Sequence, residues 1–279
     1  MTTEPMRRTL SATLAMTSLV LAACGAGGPA QPRANTNPQP SPLVKWPTAS
    51  GEKEVDNPIW VSGEYDGQMM RHFGVGDLGT SDQDEGQEPL FRVAPGGVVK
   101  NVILGDPAAD GIHCDGPCTL KNVWWERVGE DAATFRGKST SAVMLIEGGG
   151  ASGAMDKVFQ NNGQGTMIIK DFYVEWFGKL YRSCGNCSAQ TRRNVIVENI
   201  IAVGHKKTEG LIGINVNYGD TVEFRGKNVV YDPANRGIAP CLQYIGNNSG
   251  SEPKKIGGGA ESDTCRNLDH VQILTSFED

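Results

Sequence analysis

A four-residue motif that recurs along the chain limits the possible folds more than any other feature. An apolar residue, a polar residue, an Asn or Asp and a second apolar residue follow one another at residues 99–102, 120–123, 169–172 and 197–200, and Asn228 continues the pattern. The interval between the second and third copies is about twice as long as the others, and residues 158–161 fall inside it. Periods of roughly 20 to 30 residues are typical of a solenoid.

The local sequence favours strands over helices. No segment keeps the i, i+3, i+4 spacing of apolar residues for long, whereas residues 194–203 and 222–230 have the pattern of short strands. The 36 glycines also suit a turn-rich β protein, because Gly serves turns and weakens helices. We therefore predict an all-β parallel solenoid in which Asn side chains stack at the corners of successive coils. An antiparallel sandwich is the alternative, but two-residue hairpin signals are scarce.

The N-terminal residues predict export and a membrane anchor. Arg7 and Arg8 precede an apolar run at residues 10–23, which is too short to span a bilayer. The run ends in Leu-Ala-Ala-Cys at residues 21–24, which resembles a bacterial lipobox. We expect residues 1–23 to be a signal peptide and Cys24 to carry a lipid that holds the protein on a membrane. An ordinary signal peptide with an incidental Cys is the alternative.

A spacer follows the signal peptide. Residues 25–50 are rich in Pro, Gly, Asn, Gln and Ser, so they bury too little apolar surface to offset the entropy of ordering. We therefore expect a flexible lipid-anchored linker at residues 24–54 and one folded domain at residues 55–279. The expected location is outside the cell, as a secreted, cell-surface or outer-membrane lipoprotein.

Six cysteines follow Cys24, and an even number in an exported protein argues for disulfide bonds. We expect the pairs Cys114–Cys118, Cys184–Cys187 and Cys241–Cys265. A zinc site made of the first four of these cysteines, with His113, is the alternative, which an oxidising compartment disfavours.

Acidic residues follow the same repeat. The interval from Asp110 to Asp131 equals the interval from Asn101 to Asn122, and Glu130 adjoins Asp131. If the coils stack, these carboxylates meet on one face and repel each other unless a cation neutralises them. Ca²⁺ is the expected cofactor, because it takes about 6 to 8 oxygen ligands in flexible geometry. A row of solvated turn acids is the alternative.

Basic residues occur in the coils that follow. Lys157 and Lys179 are separated by about one coil, and Arg182 is three residues beyond Lys179. They either balance neighbouring acids, as surface bases usually do, or form with the acids a groove for an acidic polymer. The formal net charge of −6 argues against a nucleic-acid partner. An acidic sugar can still bind where a metal cation or local bases bridge the two partners.

Several ordered motifs resemble a known family. They are Ala-Asp-Gly-Ile-His-Cys at residues 109–114, Leu-Lys-Asn-Val-Trp-Trp at 120–125, Gly-Glu-Asp-Ala at 129–132, Asp-Lys-Val-Phe-Gln at 156–160, Asn-Gly at 162–163, and Gly-Lys-Leu-Tyr-Arg-Ser-Cys-Gly-Asn-Cys at 178–187. Over roughly residues 60–270 the chain resembles the pectate lyases of polysaccharide lyase family 3. The resemblance implies a single right-handed parallel β-helix and calcium-dependent β-elimination of polygalacturonate.

The resemblance also assigns roles to particular residues. It implies that Asp110, Glu130 and Asp131 hold calcium, that Lys157, Lys179 and Arg182 line the catalytic subsite, and that Arg71 and Glu85 contact substrate. Arg127 departs from the family pattern, which has an acid there, and Met70 stands where the family has a base, with Arg71 next.

The reaction needs a base that is neutral when it acts. Lysine can be tuned to about pH 7–8, whereas arginine keeps its proton, so we expect Lys157 to be the base and Arg182 to clamp the substrate carboxylate. An arginine base has also been assigned in families of this kind. A catalytically weak pectin-binding surface lipoprotein is the alternative function. We expect a monomer.

Overall fold

The computed structural model describes residues 43–83 and 86–277. The described residues contain three short 3-10 helices, at Gly76–Leu78, Val216–Tyr218 and Leu268–His270. Their strands, in chain order, are β1 (Glu52–Val55), β2 (Ile59–Val61), β3 (Glu64–Gly74), β4 (Phe91–Val93), β5 (Gly97–Leu104), β6 (Ile112–Cys114), β7 (Cys118–Trp125), β8 (Ala133–Phe135), β9 (Lys138–Ser152), β10 (Lys157–Asn161), β11 (Gln164–Lys170), β12 (Tyr173–Glu175), β13 (Lys179–Ser183), β14 (Arg193–Glu198), β15 (Ile201–Val203), β16 (Gly210–Asn215), β17 (Thr221–Arg225), β18 (Asn228–Tyr231), β19 (Ala239–Ile245), β20 (Lys254–Gly258), β21 (Cys265–Arg266) and β22 (Val271–Leu274).

The strands form two long sheets in which each coil pairs with the next. The first sheet follows the order β1-β3-β5-β7-β9-β11-β14-β17-β21, and β12, β15, β18 and β22 extend it from the far end of β9. The second sheet follows the order β2-β4-β6-β8-β10-β13-β16-β19-β20. Neighbouring coils pair in parallel, and β19 with β20 is an antiparallel pair at the end of the second sheet. The predicted right-handed parallel β-helix is confirmed.

The core is a column of side chains that point inward from equivalent positions of the second sheet. Phe91, Ile112, Ala133, Phe159, Tyr181 and Ile212 are paired from coil to coil and fully buried. Burial of each large apolar side chain stabilises the fold by about 1.5–3 kcal/mol. Since every coil adds to this column, the apolar stack fixes which residues of successive coils lie side by side.

The corners of the first sheet carry part of the predicted polar ladder. Asn122 donates a hydrogen bond to Asn101 at 2.9 Å, and Asn199 donates one to Asp171 at 3.1 Å. All four residues have a positive φ, a conformation in which Asn and Asp are enriched. The Asn or Asp at each of these corners therefore provides both the backbone turn and the side-chain hydrogen bond to the next coil.

Two predicted members of the ladder are wrong. Asn161 lies in β10 of the second sheet and bonds to Tyr181, and Asn228 begins β18. Strand register places Gly148 and Gly226 at the corners instead, with φ of 68° and 61°. Glycine adopts positive φ without strain, so it replaces Asn where no side chain is needed.

The ordered structure begins before the expected domain boundary at residue 55. β1 pairs in parallel with β3 from Glu52 onward, and the ring of Trp46 packs against Trp124 and Tyr173. These contacts move the start of the β-helix into the segment that we expected to be a linker. Cys24 and the expected signal peptide lie outside the described residues.

All three expected disulfides form, namely Cys114–Cys118, Cys184–Cys187 and Cys241–Cys265. They remove the thiolates that the alternative zinc site requires. Among the residues that the structure describes, no helix is both long and apolar enough to cross a membrane.

Candidate active site

Three carboxylates meet just before the N-terminal ends of two neighbouring strands of the second sheet. Asp110 lies two residues before β6 and Asp131 two residues before β8, and the parallel register of these strands brings them together. With Glu130 they form a buried group whose ligand oxygens all lie within 4.8 Å of one another. The matching intervals in the sequence thus predicted a real juxtaposition.

The environment of this acidic cluster opposes ionisation. Burial, with repulsion from Glu130, raises the pKa of Asp110 to about 8, and burial raises the pKa of Asp131 well above its ordinary value. Asp110 Oδ1 is buried and has no hydrogen-bond partner among the described residues. A buried carboxylate cluster that favours a nearby cation and leaves this oxygen of Asp110 without a partner fits the ligand chemistry of Ca²⁺.

His113 orients one carboxylate of the cluster. Its Nε2 lies 2.7 Å from Asp110 Oδ2, and burial lowers the pKa of His113 to about 3. The imidazole is therefore neutral, and when Asp110 is ionised the Nε2–H of His113 donates to this carboxylate, which leaves the other oxygen of Asp110 available.

Lys157 lies against the acidic cluster. Its ammonium nitrogen is 3.0 Å from Glu130, 3.3 Å from Asp131 and 3.3 Å from Asp156. Burial alone disfavours the charged form, but the ion pairs with Asp131, Glu130 and Asp156 outweigh burial and raise the pKa of Lys157 far above its ordinary value. This environment is the opposite of the one that we expected for a lysine base.

Arg182, one coil further along, has neutral partners. Its Nη1 donates to the carbonyl of Ser183 at 2.9 Å and to Asn215 Oδ1 at 3.1 Å, and its guanidinium carbon lies 4.0 Å from the centre of the Tyr244 ring. No ion pair to Arg182 occurs within residues 43–83 and 86–277. Burial lowers the pKa of Arg182, which makes its proton easier to lose.

Two glycines leave the space that Arg182 occupies. A Cβ on Gly213 would lie 2.8 Å from Arg182 Cδ, and a Cβ on Gly185 would lie 2.6 Å from its Nη2. Both distances are shorter than van der Waals contact. Any larger residue at either position would therefore displace the guanidinium.

The cations line one open groove on the second sheet. Strand register places Lys157 beside Lys179, and Arg182 follows in the same strand as Lys179. The remaining groove residues are Asp156, Gln160, Gly185, Asn186, Tyr244, Glu252 and Pro253. The Cys184–Cys187 disulfide and the hydrogen bond from Asn247 N to Gly185 O, 2.7 Å long, hold one wall.

The two predicted substrate-contact residues, Arg71 and Glu85, are not among the described residues that line this groove. Arg71 does not line the groove: it lies in β3 of the first sheet, paired with Glu126 at 2.7 Å and with Glu52 at 2.9 Å. Its contact with substrate stays a prediction, and adjacency in sequence does not reveal the two acids, which come from other coils. Glu85 lies outside the described residues.

Sequence reasoning missed the neutral partners of Arg182 and the role of His113. His113 stands inside a motif that we had recognised, so its position three residues after Asp110 was an available signal. Asn215 and Tyr244 had no such signal, because only coil stacking brings them to Arg182.

Comparison with known proteins agrees with this geometry. The family model described as pectate lyase matches residues 44–251. "Probable pectate lyase E" of Aspergillus flavus is 43% identical over 222 residues, which cover 79% of this chain and 82% of that protein. The catalytic domain of pectate lyase PelI from Erwinia chrysanthemi is 31% identical with a TM-score of 0.66, over 81% of this chain and 98% of that one. The same enzyme crystallised with tetragalacturonic acid is 30% identical with a TM-score of 0.65, over 79% and 70% of the two chains.

Proposed function

The chain belongs to the pectate lyase family, and from this membership we propose that it cleaves polygalacturonate by calcium-dependent β-elimination to 4,5-unsaturated oligogalacturonides. The observation that carries the proposal is the buried cluster of Asp110, Glu130 and Asp131 beside a groove lined by Lys157, Lys179 and Arg182. The structural relative crystallised with tetragalacturonic acid supports a galacturonate chain as the occupant of this groove.

Asp110, Glu130 and Asp131 are the residues that would hold the calcium. When all three are ionised, the charge of Lys157 leaves two negative charges in the cluster, which suits a divalent cation. When bound, calcium would attract the substrate carboxylate and stabilise the negative charge that develops on it.

We assign the base to Arg182 rather than to Lys157. The base takes the C5 proton, the electron pair forms the C4–C5 double bond, and the C4–oxygen bond breaks, with the leaving oxygen gaining a proton. Arg182 is buried among neutral acceptors, and its pKa is lowered, whereas the carboxylates around Lys157 keep that lysine charged. Lys157 fixes the acidic cluster, and Lys179 is available for a substrate carboxylate.

A spectroscopic assay tests the proposed reaction. Mixing the protein with polygalacturonate and calcium should generate the ultraviolet absorbance of an unsaturated uronide, and a chelator should abolish the increase. A hydrolase forms no such chromophore, and a pectin-binding lipoprotein binds the polymer without cleaving it. Binding without absorbance would therefore favour the alternative function.

Substitution of Arg182 tests its role. Arg182→Ala should lower kcat by roughly 10²–10⁴-fold, the usual contribution of a positioned acid or base. Calcium binding, measured by titration calorimetry, should persist because Arg182 is not among the three acidic residues. If Arg182→Ala kept near-wild-type turnover, Arg182 would not be the base.

We also infer that the protein acts outside the cell and that a lipid on Cys24 holds it on a membrane. The lipobox-like residues 21–24 and the three disulfides support export. Mass spectrometry of the mature protein would detect the lipid, and a Cys24→Ser variant should be released into the medium. A protein that lacks the added mass would contradict the anchor.

A further inference from the structure

Two turns lie beside the Lys179 end of the groove. The turn between β12 and β13 carries Trp176, three residues before Lys179, and the turn between β15 and β16 carries His205, Lys206 and Lys207. The rings of Trp176 and His205 have their centres 5.3 Å apart. Thr208 Oγ1 donates to the carbonyl of Phe177, which fastens one turn to the other. We call the surface formed by Trp176, His205, Lys206 and Lys207 the Trp176 rim.

Trp176 is an unusual residue for this place in the fold. The residue is 41% exposed, and its φ is 53°. A bulky residue is strained in this region of φ, which costs conformational free energy. Such strain clusters at binding sites. Burial gives little compensation here. A ring that is exposed and strained beside a substrate groove suggests selection for a contact with a ligand.

The same surface has an excess of positive charge. Lys206 and Lys207 are exposed and make no ion pair within the described part of the chain. Next to them, a hydrogen bond from Lys255, with the charges of Lys255, Lys179 and Arg236, lowers the pKa of Glu209. One carboxylate therefore lies among several cations, although the whole chain carries a net charge of −6.

Resting on the proposed function, we propose that the Trp176 rim is an additional binding site for galacturonate units of a long pectate chain, outside the groove that holds the reacting unit. Each galacturonate offers an apolar ring face and a carboxylate. The indole ring supplies an aromatic surface for the first, and Lys206 and Lys207 supply charge for the second. A substrate too short to reach the rim would not benefit from it.

The experiment compares a short and a long substrate. Initial rates are measured on trigalacturonate and on polygalacturonate for wild type, Trp176→Gly and the double variant Lys206→Ala/Lys207→Ala. We expect each variant to lose roughly fivefold to tenfold in kcat/KM on the polymer, as a few exposed contacts would give. The rates on trigalacturonate should stay near wild type. The losses caused by the lysine variant should shrink in high salt, which screens exposed charges.

Two controls separate binding from folding and from bulk charge. Glycine tolerates the φ of residue 176, so the thermal unfolding midpoint of Trp176→Gly should not fall steeply. Lys121→Ala/Lys227→Ala removes two exposed lysines, one in β7 and one at the Asn199 corner of the first sheet, and should leave both rates unchanged.

The outcomes distinguish this inference from the proposed function. If wild type yields unsaturated product but the rim variants keep their full preference for the polymer, the Trp176 rim is not a substrate site. The same holds if the control double variant loses as much activity as the rim variants. If wild type yields no unsaturated product from either substrate, the proposed function itself fails.

Discussion

Gly213 leaves room for the side chain on which the proposed chemistry depends. It pairs with Arg182 in the neighbouring coil, and a Cβ at this position would lie 2.8 Å from Arg182 Cδ. Because the guanidinium is also confined by the Tyr244 ring and by Asn215, it has little freedom to yield. The missing side chain is thus part of the active-site geometry.

Adding one methyl group tests this conclusion. Gly213→Ala should lower kcat by about 10²-fold, because displacement of a catalytic group by about 1 Å costs that much. The circular dichroism spectrum should remain that of the folded protein. Gly63→Ala is the matched control, since a Cβ there meets no atom within 4 Å. Unchanged turnover of Gly213→Ala would show that the position of Arg182 is not critical.

The active-site side chains also show which features the sequence could predict and which it could not. Sequence motifs identified Lys157 and Arg182. The equal intervals of the repeat predicted that Asp110 lies beside Asp131. The choice of base could not be made from the sequence, because it depends on the surroundings of each candidate. Carboxylates surround Lys157, whereas the ring of Tyr244, from a distant part of the chain, packs against Arg182. Contacts between residues of different coils depend on the length of each coil, and the sequence does not show where each coil begins and ends.

At the scale of the elements, the corners of the first sheet combine two stabilising effects. Asn122 donates to Asn101 and accepts a hydrogen bond from Trp124 Nε1 at 2.8 Å, while its φ is 53°. The side-chain bonds join adjacent coils, and the positive φ turns the chain from one face to the next. The two contributions can be separated by substitution.

Asn122→Ala should lose both contributions and lower the free energy of unfolding by about 2–4 kcal/mol. Asn122→Gly loses the hydrogen bonds but relieves the backbone, so its loss should be smaller. Urea denaturation of both variants measures the difference. The exposed neighbour Lys121→Ala should change stability by no more than about 0.5 kcal/mol. Equal losses for the Ala and Gly variants would show that the positive φ of residue 122 has no effect on the free energy of unfolding.

The sequence repeat predicted the fold, but it did not identify the corner residue of every coil. It succeeded where Asn or Asp occupies a corner and failed at Gly148 and Gly226, which satisfy the same backbone requirement without an amide. A search for Asn therefore selected Asn161 and Asn228, which lie in strands. The start of the β-helix was also placed too late, because the contact of Trp46 with Trp124 joins distant parts of the chain and has no local signal.

For the whole molecule, the buried acidic cluster couples stability to pH. The pKa of Asp110 rises from an ordinary 3.8 to about 8 on folding. A raised carboxyl pKa stabilises the folded state fully below about pH 4, and this contribution is lost as the pH rises through about 8. The calcium-free protein should therefore lose stability between these values.

Calcium should reverse this loss. It competes with protons for the carboxylates, so its increase of the thermal unfolding midpoint should be larger at pH 8 than at pH 5; at a concentration of 100 Kd, one site contributes about 2.7 kcal/mol. Thermal scans with calcium and with chelator measure the effect. Asp110→Asn should reduce both the pH dependence and the response to calcium. An equal response at the two pH values would contradict the coupling.

The antiparallel strand β20 has a consequence for how these molecules meet in solution. A parallel solenoid ends in a strand whose free backbone groups invite another copy to continue the stack. Here β20 reverses direction against β19, and Lys254 and Lys255 project from it, exposed to water. A second chain arriving at this edge of the second sheet could not continue the parallel pairing and would meet the exposed ammonium group of Lys254, so filament growth from this end is disfavoured.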